Sequence, residues 1–210
     1  MSEKLNIAVF ASGKGSNFLA ILQAIQEGRI QNAEIVLVIS NKVDAGALDI
    51  ARANNIPAAH LDRKQFASEE ECTTAVLKTL EHYKVNFIVL AGYLKKLSGD
   101  VVRRYRNRIV NIHPALLPAF CGKGMYGIHV HEAVINSGAK TTGATVHLVD
   151  EQYDRGSIVL QRTVEVANDD TPETLAEKVL NIEHQLYPEA IRLFTEGKVK
   201  VNGQTVTIEP

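Results

Sequence analysis

An amide and an imidazole stand two positions apart at the end of a hydrophobic segment, in the stretch IVNIHPALLP between Ile109 and Pro118. If this segment ends a β-strand, Asn111 and His113 project from the same face, because alternate residues of a strand share a face. An amide can donate to a developing oxyanion and an imidazole can transfer a proton, so the pair could assist an acyl transfer. The same side chains could instead satisfy backbone groups at a proline-rich turn.

A carboxylate is the third member of this candidate set. Asp154 lies in the loop VDEQYDRGS between two predicted strands, and it precedes Gly156, so it could also be a simple turn residue. A carboxylate close to an imidazole favours the charged ring, which raises the pKa of the histidine. No Ser or Cys stands at a nucleophile elbow, so a covalent acyl-enzyme is not indicated. The three side chains together favour direct acyl transfer between two bound substrates.

A glycine-rich turn, FASGKGSNF, provides a second candidate site after the first predicted strand. Backbone N–H groups at the start of the following helix attract anions such as phosphate. The turn lacks the third glycine of a dinucleotide fingerprint and the spacing of a Walker A loop, which disfavours NAD and nucleoside triphosphates. The turn is therefore either a tight connection or a monophosphate site, held by the amides of Gly15, Ser16 and Asn17 and by the Ser16 hydroxyl.

Short apolar segments alternate with helical patterns through the first half of the chain. Continuous apolar segments, rich in β-branched residues, are typical of parallel strands that helices cover on both faces. The predicted strands span residues 6–11, 34–40, 57–61, 87–91 and 108–112, and the predicted helices span residues 17–27, 45–54 and 69–83. We therefore predict one α/β domain over residues 1–210, with an open, mostly parallel twisted sheet and helices on both faces.

The second half of the chain has a different pattern. Residues 119–131 are rich in glycine and have no clear period, which predicts a loop or an interrupted helix start. The later predicted elements are two alternating strands over residues 142–149 and 157–166, a helix from the Thr171-Pro172 start to about Thr195, and a hairpin over residues 197–208 around Asn202-Gly203. The two alternating strands are expected to pair antiparallel, so the C-terminal half of the sheet should be mixed.

Composition excludes several classes of protein. The 210 residues include 23 basic and 24 acidic side chains, with a formal net charge of -1, so no overall field favours nucleic acid or an anionic membrane as partner. No stretch approaches the roughly 18 apolar residues of a spanning helix. Cys72 and Cys121 form no C-x-x-C pair, which suits a reducing, cytoplasmic compartment. We expect a cytoplasmic enzyme that acts on small-molecule substrates and is either a monomer or a homodimer.

Metal binding is the main competing chemistry, because His113, His129, His131 and His147 are four of the seven histidines. No pair has the H-E-x-x-H spacing of a zinc helix, and neither cysteine joins the histidines in sequence. We therefore expect no metal. His147, in an apolar strand, is expected to be a buried hydrogen-bonding residue near the site.

Four motifs occur in a recognisable order: SGKGSN, AGYLKKL, NIHPALLP and TVHLVDEQYDRG. Together they resemble the folate-dependent formyl transferases over residues 6–194. The N-I-H-P-x-L-L-P motif is shared across those enzymes and indicates the formyl donor. The GSN loop and the late segment IEHQLYP resemble the corresponding segments of the glycinamide ribonucleotide formyltransferases. The resemblance implies the Rossmann-like fold of that family.

The resemblance implies the reaction and the role of each site residue. A formyl group would pass from 10-formyltetrahydrofolate, as co-substrate, to the amine of N1-(5-phospho-D-ribosyl)glycinamide in purine biosynthesis. The implied catalytic residues are Asn111, His113 and Asp154; the phosphate and ribose ligands are Gly15, Ser16, Asn17 and Glu183; the folate ligands are Leu94, Lys95, Lys96, Leu97, Asn111, Asp150, Glu151, Gln152, Tyr153 and Asp154. The resemblance also implies that Asp154 keeps the pKa of His113 raised and that the Leu117-Pro118 bond is cis.

The sequence departs from the family pattern at Glu69, at the Lys95-Lys96 pair and in the longer, glycine-rich segment around Cys121, and other activities stay open. Glu69 stands where members often carry Arg, so the contact with the folate tail is expected to be weaker. Another folate-dependent formyl transferase, or a formyltetrahydrofolate hydrolase, could use the same amide, imidazole and carboxylate. A non-catalytic protein that binds a phosphorylated metabolite would need the GSN loop alone.

Overall fold

The computed structural model describes residues 3–152 and 154–210. The strands are β1 (Leu5–Phe10), β2 (Ala33–Ser40), β3 (Ala58–His60), β4 (Phe87–Leu90), β5 (Ile109–His113), β6 (Thr141–Leu148), β7 (Ile158–Glu165), β8 (Val199–Asn202) and β9 (Thr205–Ile208). The helices are α1 (Ser16–Gln26), α2 (Gly46–Ala53), α3 (Glu69–His82), α4 (Gly99–Arg104), α5 (Ile128–Ser137) and α6 (Pro172–Thr195), with a 3₁₀ turn at Arg63–Gln65.

The first seven strands form one sheet in the order β3-β2-β1-β4-β5-β6-β7, and β8 pairs with β9 alone. β1 is parallel to both β2 and β4, and β2 is parallel to β3. β6 and β7 are antiparallel. The predicted α/β class, with a mostly parallel sheet and mixed C-terminal strands, is confirmed. The chain divides into two compact units, one up to Val110 and one from Asn111. The single-domain organisation over residues 1–210 stays a prediction.

In the first unit, the core is built on β1, β2 and β4. The last four residues of β1 are fully buried, and every residue of β4 is buried. Complete burial explains the continuous apolar segments, because a strand covered on both faces has no side that tolerates polar residues. Ser68 caps α3 by accepting from the Glu71 amide, and acidic residues follow in its first turn, where they stabilise a helix.

In the second unit, β6 departs from the expected alternation. All of its residues after Thr141 are buried, so it is covered on both faces, whereas β7 alternates as an edge strand does. α6 begins with a capping box between Thr171 and Thr174 and with Pro172 in the first turn, as predicted. The C-terminal hairpin is confirmed, but its register pairs Asn202 with Thr205, so Gly203 and the residue after it form the turn.

The sequence patterns gave no bounds for two helices, although an interrupted helix start was left open for residues 119–131. α5 begins at Ile128, inside the segment that the pattern described as irregular, because the glycines before it hide its start. α4 covers only Gly99–Arg104, which is too short to show a helical period. Among the described residues, no helix has both the length and the apolarity that crossing a membrane requires.

Candidate active site

Asn111 and His113 lie at the carboxyl end of β5, where ligands bind in open α/β sheets. The chain after them is held by β6 and β7. Thr145, which is fully buried, donates to the Ala115 carbonyl and accepts from the Leu117 amide at 2.6 and 3.1 Å. Gln161 of β7 donates to the Leu117 carbonyl at 3.0 Å. The Leu117-Pro118 bond is cis, as the resemblance implied.

His113 is only 3% exposed and contacts the chain through both ring nitrogens. Its Nε2 donates to the Phe120 carbonyl at 2.8 Å, since a carbonyl oxygen can only accept. Its Nδ1 lies 3.8 Å from Oδ2 of Asp154, which is longer than a hydrogen bond but close enough for strong charge attraction. The predicted proximity of the imidazole and the carboxylate is therefore observed.

The position of the Asp154 side chain in the β6–β7 loop depends on its backbone conformation and on contacts with neighbouring residues. Its φ is +51°, a left-handed conformation that Asp tolerates better than most residues. Its Oδ2 accepts from the Gly122 amide at 3.1 Å. Gly156 closes the loop against β6: a Cβ there would lie 1.7 Å from the Leu148 carbonyl oxygen, so only glycine fits. The loop geometry therefore directs the carboxylate toward His113.

His147 completes the cluster, and the sequence analysis did not include it among the site residues. It is 2% exposed, and the register of β6 shifts between Val146 and His147, as in a bulge that re-aims a side chain. Nδ1 donates to the Leu148 carbonyl at 2.8 Å, so the neutral ring accepts at Nε2 from the Asn111 amide, 3.1 Å away. That Nε2 also lies 3.7 Å from Oδ1 of Asp154. The expectation of a buried, hydrogen-bonding His147 is confirmed, whereas its contact with Asn111 follows a register shift that no local pattern of the sequence signals.

The pKa of His113 is lowered from its usual value, which corrects the expectation that Asp154 keeps it raised. Burial is the largest influence, because it penalises the charged ring, and His147 acts in the same direction. The Asp154 carboxylate and the Phe120 carbonyl act the other way but do not overcome burial. At neutral pH the resting imidazole is therefore mainly uncharged.

The pKa of Asp154 is lowered from its usual value, so the carboxylate is ionised. Burial alone would raise it and is the largest single influence. The polar contact with His147, the charge of His113 and the Gly122 amide together outweigh burial. An ionised carboxylate therefore faces an uncharged imidazole, ready to stabilise a proton that the ring receives.

The glycine-rich turn lies in the first unit and leads directly into α1. Gly15 precedes the helix with a φ of +82°, and the Leu19 amide donates to its carbonyl at 2.9 Å. A Cβ at Gly15 would lie 2.8 Å from Cα of Ala47, so the turn packs tightly on α2. Ser16 and Asn17 are the first residues of α1, where the backbone N–H groups of a helix point outward. The predicted monophosphate site therefore lies at the start of α1.

The other predicted ligands lie on several elements. Leu94 is 49% exposed, and its amide donates to Oγ of buried Ser12 at 2.9 Å. Lys95 and Lys96 are exposed in the same loop, whereas Leu97 is buried at 8% exposure. Asp150, Glu151 and Gln152 are exposed or partly exposed residues of the β6–β7 loop, Tyr153 lies outside the described residues, and Glu183 lies on α6 at 7% exposure.

Metal-ligating side chains do not converge in the described part of the chain, where no group of three or more His, Cys, Asp or Glu has metal-binding geometry. His129 is exposed and contacts Glu132 at 3.0 Å. His131 is buried, and its Nδ1 has no hydrogen-bond partner among the described residues.

Comparison with known proteins adds an independent line of evidence. A chloroplastic phosphoribosylglycinamide formyltransferase from Arabidopsis thaliana is 45% identical over 92% of this chain, and the chain spans 66% of that relative. The phosphoribosylglycinamide formyltransferase of Haemophilus influenzae is 39% identical, with 97% of this chain and 93% of the relative covered. The crystal structure of glycinamide ribonucleotide transformylase 1 from Symbiobacterium toebii superposes with a TM-score of 0.93 at 38% identity, over 100% of this chain and 96% of that one.

Residues 5–191 match the formyl transferase family, which covers both the glycine-rich turn and the cluster around His113. The amide, imidazole and carboxylate therefore lie together in a chain whose sequence and fold are both similar to formyl transferases. On these grounds, the chain belongs to the formyl transferase family.

Proposed function

We propose that the protein transfers the formyl group of 10-formyltetrahydrofolate to the primary amine of N1-(5-phospho-D-ribosyl)glycinamide, giving the N-formyl product used in purine biosynthesis. The observation that supports this most is the convergence of Asn111, His113 and Asp154 at the end of β5, in a member of the formyl transferase family. The two relatives described above are both named phosphoribosylglycinamide formyltransferase. From the cysteine pattern, we retain a cytoplasmic location as a prediction.

In this proposal, Asn111 stabilises the oxyanion. When the amine attacks the formyl carbon, the carbonyl electron pair moves to the formyl oxygen. The amide of Asn111 has two N–H donors, and one of them is held by Nε2 of His147 at 3.1 Å. The second N–H then serves the oxyanion, and removing such a donor typically costs about 2.7–4 kcal/mol of transition-state stabilisation.

His113 moves the proton. Because its pKa is lowered, the ring is uncharged at rest and can accept the proton that the attacking amine releases. The ionised Asp154 stabilises the imidazolium that forms, since Nδ1 and Oδ2 are 3.8 Å apart. The proton then passes to N10 as the bond between the formyl carbon and N10 breaks, which leaves neutral His113 and tetrahydrofolate. This replaces the expectation of a ring that is charged at rest.

The residues proposed to bind the two substrates are those that the resemblance to formyl transferases implies. The amides of Gly15, Ser16 and Asn17 would hold the substrate phosphate, which the left-handed Gly15 at the start of α1 supports. Glu183 would contact the ribose. Residues 94–97 and 150–154, with Asn111, would line the folate site. We also propose that the protein works as a monomer or a homodimer, without nucleic acid, membrane or metal.

One assay tests the proposal directly. Purified protein is given 10-formyltetrahydrofolate with or without the ribonucleotide, and both tetrahydrofolate and the formylated product are quantified. We expect equal amounts of the two products, and only when the ribonucleotide is present. Folate turnover without ribonucleotide would identify a hydrolase, and no turnover in either mixture would favour a non-catalytic protein that binds a phosphorylated metabolite.

A further inference from the structure

Two backbone groups of one short segment hold the proposed proton-transfer pair. The Phe120 carbonyl accepts from Nε2 of His113 at 2.8 Å. Two residues later, the Gly122 amide donates to Oδ2 of Asp154 at 3.1 Å. Residues 120–122, the anchor segment, therefore contact both side chains directly, and the conformation of one tripeptide sets the positions of both.

The first of these contacts decides which ring nitrogen can exchange a proton. A carbonyl oxygen only accepts, so Nε2 of His113 carries a hydrogen in the neutral ring as well as in the charged ring. The proton that comes and goes must then be on Nδ1. Nδ1 lies 3.8 Å from the Asp154 carboxylate, which is beyond hydrogen-bond length. It can therefore bind a substrate proton while the carboxylate still stabilises the resulting charge.

The anchor segment holds an unusual backbone conformation. Phe120 has a φ of +50°, in the left-handed region that residues with a Cβ rarely adopt, and Gly122 has a φ of +97°. A residue with a large side chain adopts that region only where the surroundings enforce it. The surroundings here are the Leu116 carbonyl, which accepts from the Ala119 amide at 3.0 Å, and the Pro118 carbonyl, which lies 3.1 Å from Sγ of Cys121.

We propose that the left-handed conformation of Phe120 is a positioning device that keeps the hydrogen of Nε2 on the backbone and assigns Nδ1 of His113 to proton exchange with the substrate. Phe120 acts through His113 and is not itself catalytic. This inference rests on the proposed function for the identity of the substrate. The assignment of the ring hydrogens rests on the geometry alone.

The matched variants are Phe120→Asn and Phe120→Val. Asn tolerates the left-handed region, whereas a β-branched residue is a severe outlier there, so only the Val variant should turn the carbonyl away from His113. We expect the turnover number of Phe120→Val to fall about tenfold to a hundredfold, a part of the roughly 10²–10⁴-fold that proton transfer contributes. The KM for each substrate should change much less. Phe120→Asn should stay closer to wild type.

The second readout is the ¹⁵N NMR spectrum of histidine-labelled protein, with His113 assigned by the loss of its resonances in His113→Gln. In the wild type and in Phe120→Asn, Nε2 should carry hydrogen throughout the titration and only Nδ1 should titrate. Phe120→Val should show mixed tautomers.

Three results would overturn the inference: a neutral wild-type ring with its hydrogen on Nδ1, a Val variant with wild-type turnover and pH profile, or Asn and Val variants that lose equal activity. If Phe120→Val does not fold, the wild-type and Phe120→Asn spectra still decide the tautomer. The spectrum needs no substrate, so a protein without formyl transfer but with Nε2 protonated would refute the proposed function and retain the positioning of His113.

Discussion

At the scale of single residues, burial and charge act on His113 in opposite directions. Burial lowers the pKa of the ring, and Asp154 opposes that shift without overcoming it. The sequence could show that a carboxylate and an imidazole were available, but not how deeply the ring is buried. The expected raised pKa was therefore wrong, although the proximity of the two groups was right.

Asp154→Asn should reduce turnover by roughly 10²-fold or more, because the imidazolium loses its stabilising charge. The pKa of His113 should fall further, since the group that raises it has been removed. In the proposed mechanism, neutral His113 is the active form. Activity should therefore decline as pH falls through this pKa, and the acidic limb of the profile should move to lower pH. The measurement is the pH dependence of kcat, with Asp169→Asn, an exposed carboxylate outside the residues assigned to the site, as a control. Wild-type turnover and an unmoved limb in Asp154→Asn would remove Asp154 from the mechanism.

At the scale of elements, the ends of β1, β2 and β4 are tied together by one hydroxyl. Ser12 is 2% exposed, donates to Oδ1 of Asn41 at 2.5 Å and accepts from the Leu94 amide at 2.9 Å. The glycine-rich turn and the loop that follows β4 therefore share a buried polar residue. No periodicity in the sequence reports such a contact, because its partners are 29 and 82 positions away.

Ser12→Ala should lower the free energy of unfolding by about 1–3 kcal/mol, because the Leu94 amide and the Asn41 side chain lose a buried partner. Thr79→Ala is the control: its hydroxyl donates to the Ala75 carbonyl within α3, and alanine favours helix. Urea unfolding of both variants gives the comparison. Equal stability of Ser12→Ala and wild type would show that the hydroxyl contributes nothing net.

Gly15→Ala tests the glycine-rich turn. The added Cβ would lie 2.8 Å from Cα of Ala47, and the backbone of Gly15 is in the left-handed region, so the start of α1 must shift. We expect a loss of more than about 1 kcal/mol of stability and a larger rise in KM for the ribonucleotide than for the folate. Gly13→Ala is the matched control, since a Cβ there has no heavy atom within 4 Å. Equal KM values for the ribonucleotide in the two variants would contradict a phosphate site at Gly15.

At the scale of the whole molecule, the fold buries titratable rings that the unfolded chain exposes. Burial lowers the pKa of His113, His131 and His184. The unfolded chain, with histidine pKa values near about 6.5, then binds more protons than the folded chain as pH falls. The folded state therefore keeps its full stability above the pKa of the unfolded histidines and loses stability progressively as pH falls below that pKa.

The free energy of unfolding should therefore decrease between pH 7.5 and pH 5.5, by about 1.4 kcal/mol for each unit by which a histidine pKa is lowered. His131→Gln removes one of these buried rings and should make the decrease smaller. Urea unfolding across this range measures the slope, with the exposed His82→Gln as control. A slope that His131→Gln leaves unaltered would show that His131 does not contribute.

Sequence patterns were sufficient to predict the α/β class, the mostly parallel sheet, the antiparallel β6–β7 pair, the start of α6 and the family. These follow from local patterns, because hydrophobic period, caps and short motifs act over a few neighbouring residues. Asn111 and His113 could be placed on one face for the same reason. The bounds of the elements agree to within about two residues, whereas the glycines before Ile128 and the brevity of α4 hid two helices.

The arrangement and the charge state of the site depend on tertiary packing. His147 joins Asn111 through a shift in the register of β6, and Phe120 and Gly122 bring backbone groups to His113 and Asp154. The resting charge of His113 depends on how much water the folded chain excludes. Exclusion of water and contacts between distant positions arise from packing, which no local pattern encodes.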